Sequence, residues 1–319
     1  MIAAADPHLR GHTENYVLAC DVGGTTTKAE VIDGRGVVVV SGSTPTPHGE
    51  AALAALSGLG KELLDRLERQ TGQRPSRAGV ALPGRIDRQG RLGVSSVNIG
   101  WRDLEFGPVL DEAWQLPVVV DHDVTVAGWA EWLEGAGQGH DDVVFVALGT
   151  GIAASMVVNG RLVRGGLGQA GELGHLVVRP GGPLCACGAR GCLESVASAS
   201  AIGRAYAELS GRRVAGAHDV FDALDDDPLA QTAWQGGVDA LADGLAAVTA
   251  LLAPSLVIIG GGMADAGEVL LAPLRKALKE RSFVTQVPEL SGGRFGPRAG
   301  LVGAALLARR GSPERCGTG

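Results

Sequence analysis

The chain has 319 residues, of which 45% are hydrophobic and 20% are charged, and this composition allows one large or two modest hydrophobic cores. Its formal charge of −7 is spread without long runs of either sign, which argues against the clustered Lys and Arg of a nucleic-acid or anionic-membrane surface. Residues 1–14 lack the apolar core of a signal peptide or a membrane span. We therefore expect a flexible N-terminal tail and a cytoplasmic protein with small-molecule ligands, binding neither nucleic acid nor a membrane.

The first half of the chain predicts a β-meander followed by alternating strands and helices. Its predicted elements are a β-hairpin at Tyr16–Asp33, a strand at Val37–Ser41, a helix at Glu50–Gln70, strands at Ala78–Leu82 and Val118–Asp121, and a helix that runs to about Glu134. A strand that feeds a helix in this way indicates an α/β layer.

The second half restarts in the same order. Its predicted elements are strands at Val143–Leu148 and Ala153–Val158 with a turn at Asn159-Gly160, a helix at Val238–Leu252, a strand at Leu256–Ile259 and a final helix at Leu301–Arg309. The repeat predicts two domains. We place the small one at 15–122, closed by a helix at 301–310, and the larger one at 123–300 with a metal loop at 175–192; residues 311–319 form a second tail.

Two glycine turns are candidates for phosphate binding. Asp21-Val22-Gly23-Gly24-Thr25 follows the first strand, and Leu148-Gly149-Thr150-Gly151 follows the first strand of the second meander. Backbone N–H groups in such turns can face a phosphate because glycine allows a close approach. An ordinary hairpin explains a single Gly-Gly turn equally well, but two matching turns favour phosphate binding.

A third glycine run, Gly260-Gly261-Gly262, follows the strand at Leu256–Ile259. Ligands of open α/β sheets bind at the carboxyl ends of strands, so this run is a candidate contact for adenine or ribose. The alternative is a tight turn from strand to helix.

Three cysteines and a histidine predict a metal site. Cys185, Cys187 and Cys192 lie in a glycine-rich loop that follows His175. Three thiolates and one imidazole form a closed tetrahedral set for zinc, and a site with four protein ligands is structural rather than catalytic. The alternative is a set of reduced structural cysteines beside an unrelated histidine.

Three carboxylates are candidates for substrate chemistry. Asp123 opens the helix after the strand at Val118–Asp121, where it could either cap the helix or point into a cleft. Glu172 and Glu194 adjoin the metal loop. They are either surface charges or hydrogen-bond acceptors for vicinal hydroxyls.

In this order the motifs resemble the ROK family of bacterial sugar kinases over about Tyr16 to Arg309. The stretch Leu148–His175, with Ala170-Gly171-Glu172-Leu173-Gly174-His175 at its end, looks like the family signature, and Cys185/Cys187/Cys192 looks like its zinc motif. The resemblance implies an actin-like (ribonuclease H-like) two-domain α/β fold with an interlobe cleft, an ATP-dependent sugar kinase, and a homodimer or homotetramer.

The resemblance also implies roles for individual residues. Asp123 matches the general base that accepts the proton of the sugar's 6-hydroxyl, and Asp21 matches a residue that holds the water shell of the Mg²⁺ bound with ATP. The expected sugar contacts are Glu172, His175 and Glu194, with Gly84 and Asn98 lining the same pocket. The expected nucleotide contacts are Gly23, Gly24, Thr25, Gly149, Thr150, Gly151 and the run Gly260 to Gly262. His175 can serve the zinc and the sugar through different ring nitrogens.

The chain departs from the family pattern at the sugar. Where the family usually has Glu-Asn-Asp-Ala-Asn, this chain has Asp121-His122-Asp123-Val124-Thr125, so His122 replaces an Asn that contacts the 3- and 4-hydroxyls. An imidazole offers one donor and one acceptor in a different shape from a carboxamide. The replacement allows two interpretations. Either the substrate is a glucose analogue such as kanosamine (3-amino-3-deoxyglucose) or a C7-cyclitol of secondary metabolism, in antibiotic biosynthesis, or His122 replaces one hydroxyl contact and the substrate remains glucose.

The chain departs from the family pattern at two further places, and two competing functions are less consistent with its motifs. Ala153-Ala154-Ser155 stands where the family tends to have glycines, which would narrow the nucleotide site and leaves open a phosphoryl donor other than ATP. Thr26-Thr27 replaces other residues in the first turn. A sugar-responsive repressor of the same family would need a DNA-binding helix-turn-helix before Asp21, for which about twenty residues are too few. A catalytically silent sugar sensor is disfavoured by the retained Asp21 and Asp123.

Overall fold

A computed structural model of the chain describes residues 16–312. The predicted N-terminal tail and residues 313–319 of the predicted C-terminal tail lie outside the described residues. Within residues 16–312, no helix combines the length and apolarity needed to cross a membrane. The chain divides into two compact units, of which the first comprises residues up to Ala130 together with those from Arg298 onward, and the second comprises Glu131–Pro297.

Strands and helices alternate along both units. The strands are β1 Val17–Val22, β2 Thr26–Ile32, β3 Val38–Pro45, β4 Arg77–Leu82, β5 Arg85–Ile86, β6 Gly93–Ser95, β7 Arg102–Leu104, β8 Val118–His122, β9 Val143–Leu148, β10 Ile152–Val158, β11 Arg161–Val163, β12 Leu256–Gly260 and β13 Glu289–Gly292. The helices are α1 Ala51–Thr71, α2 Phe106–Trp114, α3 Asp123–Glu134, α4 Leu193–Ala197, α5 Ala199–Ser210, α6 Ala217–Asp222, α7 Pro228–Leu252, α8 Glu268–Lys279 and α9 Ala299–Arg310.

The first unit is built on a five-stranded sheet in the order β3-β2-β1-β4-β8. The meander β1-β2-β3 is antiparallel, whereas β1, β4 and β8 are parallel. Alternate residues of β1 enter two different cores: Leu18 and Cys20 pack with α1 and α2, and Val17 and Ala19 pack with α9. The sheet is therefore covered on both faces, as parallel strands require.

Close packing of α9 on β4 depends on one glycine. A Cβ on Gly79 would lie 2.0 Å from the backbone oxygen of Ala304 in α9, so no larger residue fits at this position. The C-terminal helix thereby completes the core of the first unit.

The second unit repeats this topology. Its sheet has the order β11-β10-β9-β12-β13, with an antiparallel meander followed by parallel pairs of β9 with β12 and of β12 with β13. Asn159 and Gly160 form the predicted hairpin turn with φ of 50° and 67°, which is typical of a type I′ turn. The main core lies between the sheet and helices α4 to α8. The second meander predicted from the sequence is therefore confirmed.

A buried carboxylate connects the first and last segments of the second unit. Glu131 has no exposed surface, and its carboxylate accepts backbone N–H bonds from Ala136 at 3.1 Å, Arg294 at 2.9 Å and Phe295 at 2.8 Å. Since a buried carboxylate needs such partners, these bonds keep α3 and the segment after β13 together.

The unit boundary differs from the predicted domain boundaries at 122/123 and 300/301. It lies at Ala130/Glu131 and Pro297/Arg298. The start of α3 belongs to the first unit because Val126 packs against α9, where a Cβ on Gly303 would lie 2.3 Å from the Val126 backbone oxygen.

The longest helix was predicted too short. The sequence pattern placed its start at Val238, after Gly236-Gly237, but α7 begins at Pro228 with Asp227 as its N-cap. Gly237 does not break the helix. It gives room for Ile202 of α5, because a Cβ on Gly237 would lie 2.5 Å from the Ile202 side chain. Tertiary packing therefore overrides the local preference of glycine.

Candidate active site

Three predicted site residues lie at one edge of the first sheet. β1, β4 and β8 are parallel, with Asp21 opposite Ala81 and Leu82 opposite His122. Their carboxyl ends therefore share an edge, and Asp21, the turn after β4 and Asp123 all lie there. This edge is the part of the first unit in which a ligand site is expected.

The turn between β1 and β2 is tight and presents hydroxyl groups. The N–H of Gly23 donates to the backbone oxygen of Thr26 at 3.1 Å, and a Cβ on Gly23 would lie 2.9 Å from the same atom. Gly24 has no atom within 4 Å of a Cβ, and Thr25 is exposed. Gly23 is therefore required by the turn, whereas Gly24 and Thr25 leave space for a ligand.

The carboxyl of Asp21 is in an unfavourable place for a negative charge. It lies against Gly300 in the first turn of α9, where a Cβ would come within 2.5 Å of it. Burial, and secondarily the charge of Asp123, raise its pKa from 3.8 to about 7, although Lys28, its partner across the β1–β2 ladder, opposes the shift. A bound cation would relieve both effects.

Asp123 is the first residue of α3 and adjoins His122. Burial raises the pKa of the Asp123 carboxyl, while the His122 ring and the N–H of Val124, 2.7 Å away, act in the opposite direction. The Nε2 of His122 lies 3.3 Å from Oδ1 of Asp123, and its Nδ1 lies 3.4 Å from the hydroxyl of Thr125. Both side chains keep over a quarter of their surface exposed. A raised pKa in an accessible carboxyl suits proton transfer.

Gly84 and Asn98 lie in loops next to the strands of the small sheet β5-β6-β7. Gly84 has a φ of 100°, and a Cβ there would lie 2.4 Å from the backbone oxygen of Ser95. The turn after β4 therefore packs directly on β6, and only glycine satisfies it. Asn98 is exposed in the loop between β6 and β7.

The second glycine turn, between β9 and β10, is held by its own backbone and by α5. Gly149 donates to the oxygen of Gly151 at 3.0 Å and accepts from the N–H of Ala199 at 2.8 Å. Thr150 at its tip is exposed.

A cavity of about 700 Å³ opens beside this turn within the second unit. Its lining includes Gly149, Thr150 and Gly262 together with Phe221 and Trp234, whose ring centroids are 6.1 Å apart. Its remaining lining comes from Ala199, Ala215–Asp219, Met263, Asp265 and Ala266. The volume and the mixture of a glycine turn with aromatic side chains are typical of a pocket for a nucleotide-sized ligand.

The three glycines after β12 have different positions. Only Gly262 lines the cavity. A Cβ on Gly260 would lie 2.5 Å from the ring of Phe145, and one on Gly261, with a φ of 79°, would lie 2.5 Å from the backbone oxygen of Leu148. Two of the three glycines are therefore required by packing around the turn, which was the alternative left open by the sequence.

The predicted metal ligands come together. One ligand atom from each of His175, Cys185, Cys187 and Cys192 lies within 4.8 Å of all the others. The Sγ atoms of Cys187 and Cys192 are 3.6 Å apart, and Cys185 Sγ is 3.7 Å from His175 Nδ1. Ligands at zinc–sulfur distances in a tetrahedron lie about 3.8 Å apart, so the donor set and its spacing fit a zinc ion.

Glycines shape the loop around this cluster. The turn at Cys185–Gly188 closes through the N–H of Gly188 on the Cys185 oxygen at 2.9 Å, and Gly188 has a φ of 92°. Gly191 has a φ of 78°, and a Cβ on it would overlap the backbone oxygen of Arg179 at 1.6 Å. Arg179 in turn bonds Asp243 on α7, which anchors the loop to the body of the unit.

The two carboxylates near the metal loop have different surroundings. Glu172 is exposed, with an oxygen 3.8 Å from Nε2 of His175. Glu194 is half-buried, and its Oε2 accepts the N–H of Ile152 at 2.9 Å. Glu172 is free to bind a ligand, whereas Glu194 also belongs to the backbone framework of the second glycine turn.

Comparison with known proteins decides the family. The family model described as "ROK family" matches residues 17–311. The chain belongs to the ROK family. A glucokinase from Halalkalibacterium halodurans is 32% identical to this ROK chain over 93% of it and 96% of its own length, and an N-acetylmannosamine kinase from Citrobacter koseri is 35% identical over 92% and 98%.

A solved structure confirms the predicted fold class of this ROK protein. The ROK glucokinase from Streptomyces griseus, in complex with glucose and AMPPNP, is 31% identical and superposes with a TM-score of 0.81, covering 93% of this chain and 100% of that one. The predicted actin-like α/β fold with two domains is therefore confirmed.

The structure places the predicted residues of this ROK chain in two groups. The first unit holds Asp21, Gly23, Gly24, Thr25, Gly84, Asn98, His122 and Asp123, and the second holds Gly149, Thr150, Gly151, Glu172, His175, Cys185, Cys187, Cys192, Glu194 and Gly260 to Gly262. The roles assigned to them by resemblance remain predictions.

Sequence reasoning missed the apolar side of the cavity. Ala215–Asp219, Phe221 and Trp234 belong to α6, α7 and the loop before them, a segment for which no element was predicted. None of these residue types indicates nucleotide chemistry by itself. The available signal was Asp227-Pro228, an N-cap with proline at the first helical position, which predicts the true start of α7.

Proposed function

We propose that the chain transfers the γ-phosphate of ATP to the 6-hydroxyl of a hexose, either glucose or a close analogue such as kanosamine. The chain is an ATP-dependent sugar kinase, because its ROK family match is joined by glucokinase and N-acetylmannosamine kinase relatives that cover nearly its whole length. The observation that carries the proposal for the acceptor is the Asp123 carboxyl, accessible at the carboxyl edge of the sheet and with its pKa raised by burial.

Asp123 performs the proton step in this proposal. Phosphoryl transfer depends on positioning and charge neutralisation more than on covalent chemistry. The acceptor hydroxyl hydrogen-bonds to Asp123, which takes its proton as the hydroxyl oxygen bonds to the γ-phosphorus and the bond from that phosphorus to the bridging oxygen of ADP breaks. A carboxyl with a raised pKa retains this proton better than an ordinary one. Glu172, His175, Glu194, Gly84 and Asn98 bind the sugar.

The phosphates are held by the two glycine turns. The exposed hydroxyls of Thr25 and Thr150 and the open backbone at Gly24 supply donors, and the cavity beside Gly149 takes the nucleoside with its base near Phe221 and Trp234. Asp21 would hold the hydrated Mg²⁺, which neutralises phosphate charge when bound.

Replacing Asp123 tests the proposed base. We expect Asp123→Asn to lower kcat by about 10²–10⁴-fold while the sugar still binds, because the amide keeps the shape but cannot accept the proton. Turnover by coupled assay and sugar binding by calorimetry give the two readouts. Asp103→Asn, at an exposed position on β7, is the control and should act as the parent chain. Full turnover in Asp123→Asn would remove Asp123 from the mechanism.

The identity of the sugar depends on His122. With Nε2 directed at Asp123 and Nδ1 at Thr125, the ring lies within hydrogen-bonding distance of two groups at this edge. A carboxamide at this position would offer a different donor and acceptor arrangement. We therefore infer that His122 changes recognition of the 3/4 edge of the sugar, with kanosamine ahead of a C7-cyclitol and with unchanged use of glucose as the competing possibility.

A substrate panel with His122→Asn tests this inference. We expect the variant to gain kcat/KM for glucose and to lose it for 3-amino-3-deoxyglucose, measured beside mannose, N-acetylated hexosamines and valiolone-type cyclitols. His140→Asn, the same substitution at a ring that contacts Ser255 in the second unit, is the matched control. If affinity for the preferred sugar is unchanged and glucose turnover does not rise, the substrate-switch idea fails.

Assembly and location are further parts of the proposal. We infer a homodimer or homotetramer in the cytoplasm, and light scattering of the purified protein measures the assembly directly. Structural zinc at the His175 and cysteine cluster completes the proposed holoenzyme, with His175 shared between the ion and the sugar.

A further inference from the structure

The segments that carry the metal ligands contact the second glycine turn at one residue, Ile152, which directly follows the turn. From one side, the Oε2 of Glu194, two residues after Cys192, accepts the Ile152 N–H at 2.9 Å. From the other side, Gly174, the residue before His175, packs against the Ile152 backbone oxygen. A Cβ on Gly174 would lie 2.2 Å from this oxygen.

The Glu194 carboxylate also fits against the turn itself. A Cβ on Gly151 would lie 2.7 Å from Glu194 Oε2, so glycine is needed at this position for the carboxylate to reach the backbone. A charge-assisted bond from a backbone N–H to a carboxylate is stronger and more directional than a bond between neutral groups. Glu194 is therefore an anchor for the end of the turn.

The start of the turn is held by the same segment of chain. Ala199, the first residue of α5, donates its N–H to the Gly149 oxygen at 2.8 Å, and the Ser200 hydroxyl donates to the Thr150 oxygen at 3.4 Å. Ser198 between α4 and α5 is buried, and its N–H bonds back to the Glu194 oxygen at 3.3 Å. Both ends of the turn thus depend on the residues that follow Cys192.

We propose that Glu194 is a positioning residue for the nucleotide: through Glu194 the metal-ligand loop fixes the glycine turn at Leu148–Gly151 and so sets nucleotide affinity. The inference rests on the proposed function, in which the cavity beside Gly149 and Thr150 holds ATP. Glu194 would thus affect nucleotide binding even when no sugar is present, in addition to any contact that it makes with the sugar.

The deciding measurement is the affinity of the metal-loaded protein for AMPPNP in the absence of sugar. We expect Glu194→Ala to weaken binding by about tenfold or more, equal to about 1.4 kcal/mol. Glu194→Gln should lose less, because its amide oxygen can still accept the Ile152 N–H. Glu172→Ala is the matched control: a carboxylate beside the same metal cluster that should affect sugar binding but not AMPPNP binding.

A second variant reaches the turn without altering Glu194. Ala199→Pro deletes the N–H that holds Gly149 and puts the proline Cδ in place of the amide hydrogen, too close to the Gly149 oxygen for the turn to keep its position. Proline is favoured at the first position of a helix, and Ser198 before it has φ −68° and ψ 160°, which suits a following proline. We expect weaker AMPPNP binding with an unchanged melting temperature.

Removal of the metal tests the path from the cluster to the turn. If the loop acts through Glu194, chelation should weaken AMPPNP binding in the parent chain but add little in Glu194→Ala, because coupled perturbations are not additive. Equal losses in both chains would show that the metal does not act through Glu194.

The outcomes separate this inference from the proposed function. Unchanged AMPPNP affinity in Glu194→Ala, or an equal loss in Glu172→Ala, overturns the positioning role while the kinase assignment stands. If the parent chain turns over sugar and every substituted variant binds AMPPNP with the affinity of the parent chain, the same conclusion follows. A parent chain that neither binds AMPPNP nor turns over sugar overturns both.

Discussion

At the scale of single residues, Asp21 and Asp123 share one electrostatic environment at the edge of the first sheet. Burial raises the pKa of both carboxyls, and the charge of Asp123 adds to the shift at Asp21. Two carboxylates that repel each other bind a cation and accept a proton more readily than isolated ones. The sequence named both residues, but only the parallel order of β1, β4 and β8 shows that the end of β1 and the start of α3 lie at the same edge of the sheet.

A pH-dependent stability follows from the raised pKa of Asp21. Because the folded state holds the proton more tightly than the unfolded state, the chain loses stability as the pH rises from about 4 to about 7, and the loss levels off above the folded pKa. We expect Asp21→Asn to melt higher than the parent chain at pH 8 without Mg²⁺, and this difference to shrink towards pH 4. Thermal unfolding over this pH range measures it.

Turnover of Asp21→Asn and the stability of a second variant, Asp33→Asn, serve as controls. Asp21→Asn should lose Mg²⁺-dependent turnover although it is more stable, whereas Asp33→Asn, on a carboxylate bonded to its own turn, should gain no stability at pH 8. A stability difference independent of pH would contradict the assignment of the raised pKa to Asp21.

At the scale of elements, the metal loop at residues 175–192 carries four candidate metal ligands but has little hydrophobic core of its own. Cys187 and His175 are exposed, and the loop has short backbone bridges, Val177 with Cys192 and Leu184 with Arg190. Apart from Cys185 and Cys192, few of its side chains are buried. A loop of this kind needs cross-linking by a metal to keep its shape.

Metal removal should therefore loosen the loop selectively. We expect about one zinc per chain by metal analysis, and chelation or Cys187→Ser should lower that content and speed backbone hydrogen exchange at residues 175–192, with little change in the sheet of the first unit. Cys20→Ser, at a buried thiol in β1, should keep the zinc. A zinc content below about half an equivalent in the parent chain would contradict the closed site.

At the scale of the whole molecule, two units with the same sheet topology are joined by two crossings of the chain. The first is discontinuous, since α9 returns from the end of the sequence to cover β1 and β4. This return is possible because Gly79 lets α9 approach the sheet directly. Stability of the first unit therefore depends on a contact between residues far apart in sequence.

A methyl group at Gly79, between β4 and α9, should destabilise the molecule. We expect Gly79→Ala to lower the free energy of unfolding by about 1–3 kcal/mol, because the new methyl group would overlap the Ala304 backbone oxygen. Gly58→Ala, on the exposed face of α1 with no atom within 4 Å, is the control and should raise stability by about 0.5–1 kcal/mol. Urea unfolding of the two variants compares them. Equal stability would show that α9 does not pack closely on β4.

The sequence by itself determined the features that depend on local patterns. The strands of both meanders, the two glycine turns and the metal-ligand set were all predicted, because strand alternation, turn-forming glycines and clustered thiols are visible within short segments. The family followed from the order of these motifs.

Tertiary structure alone decided the features that join distant segments. Glu131 gathers N–H groups from residues 294 and 295, Gly237 makes room for α5, and Glu194 bonds the Ile152 N–H. No local pattern indicates these contacts, because a carboxylate or a glycine looks the same in sequence whether it is exposed or buried. Their roles come from the backbone groups that folding brings to them, and those groups are specified only by the packed fold.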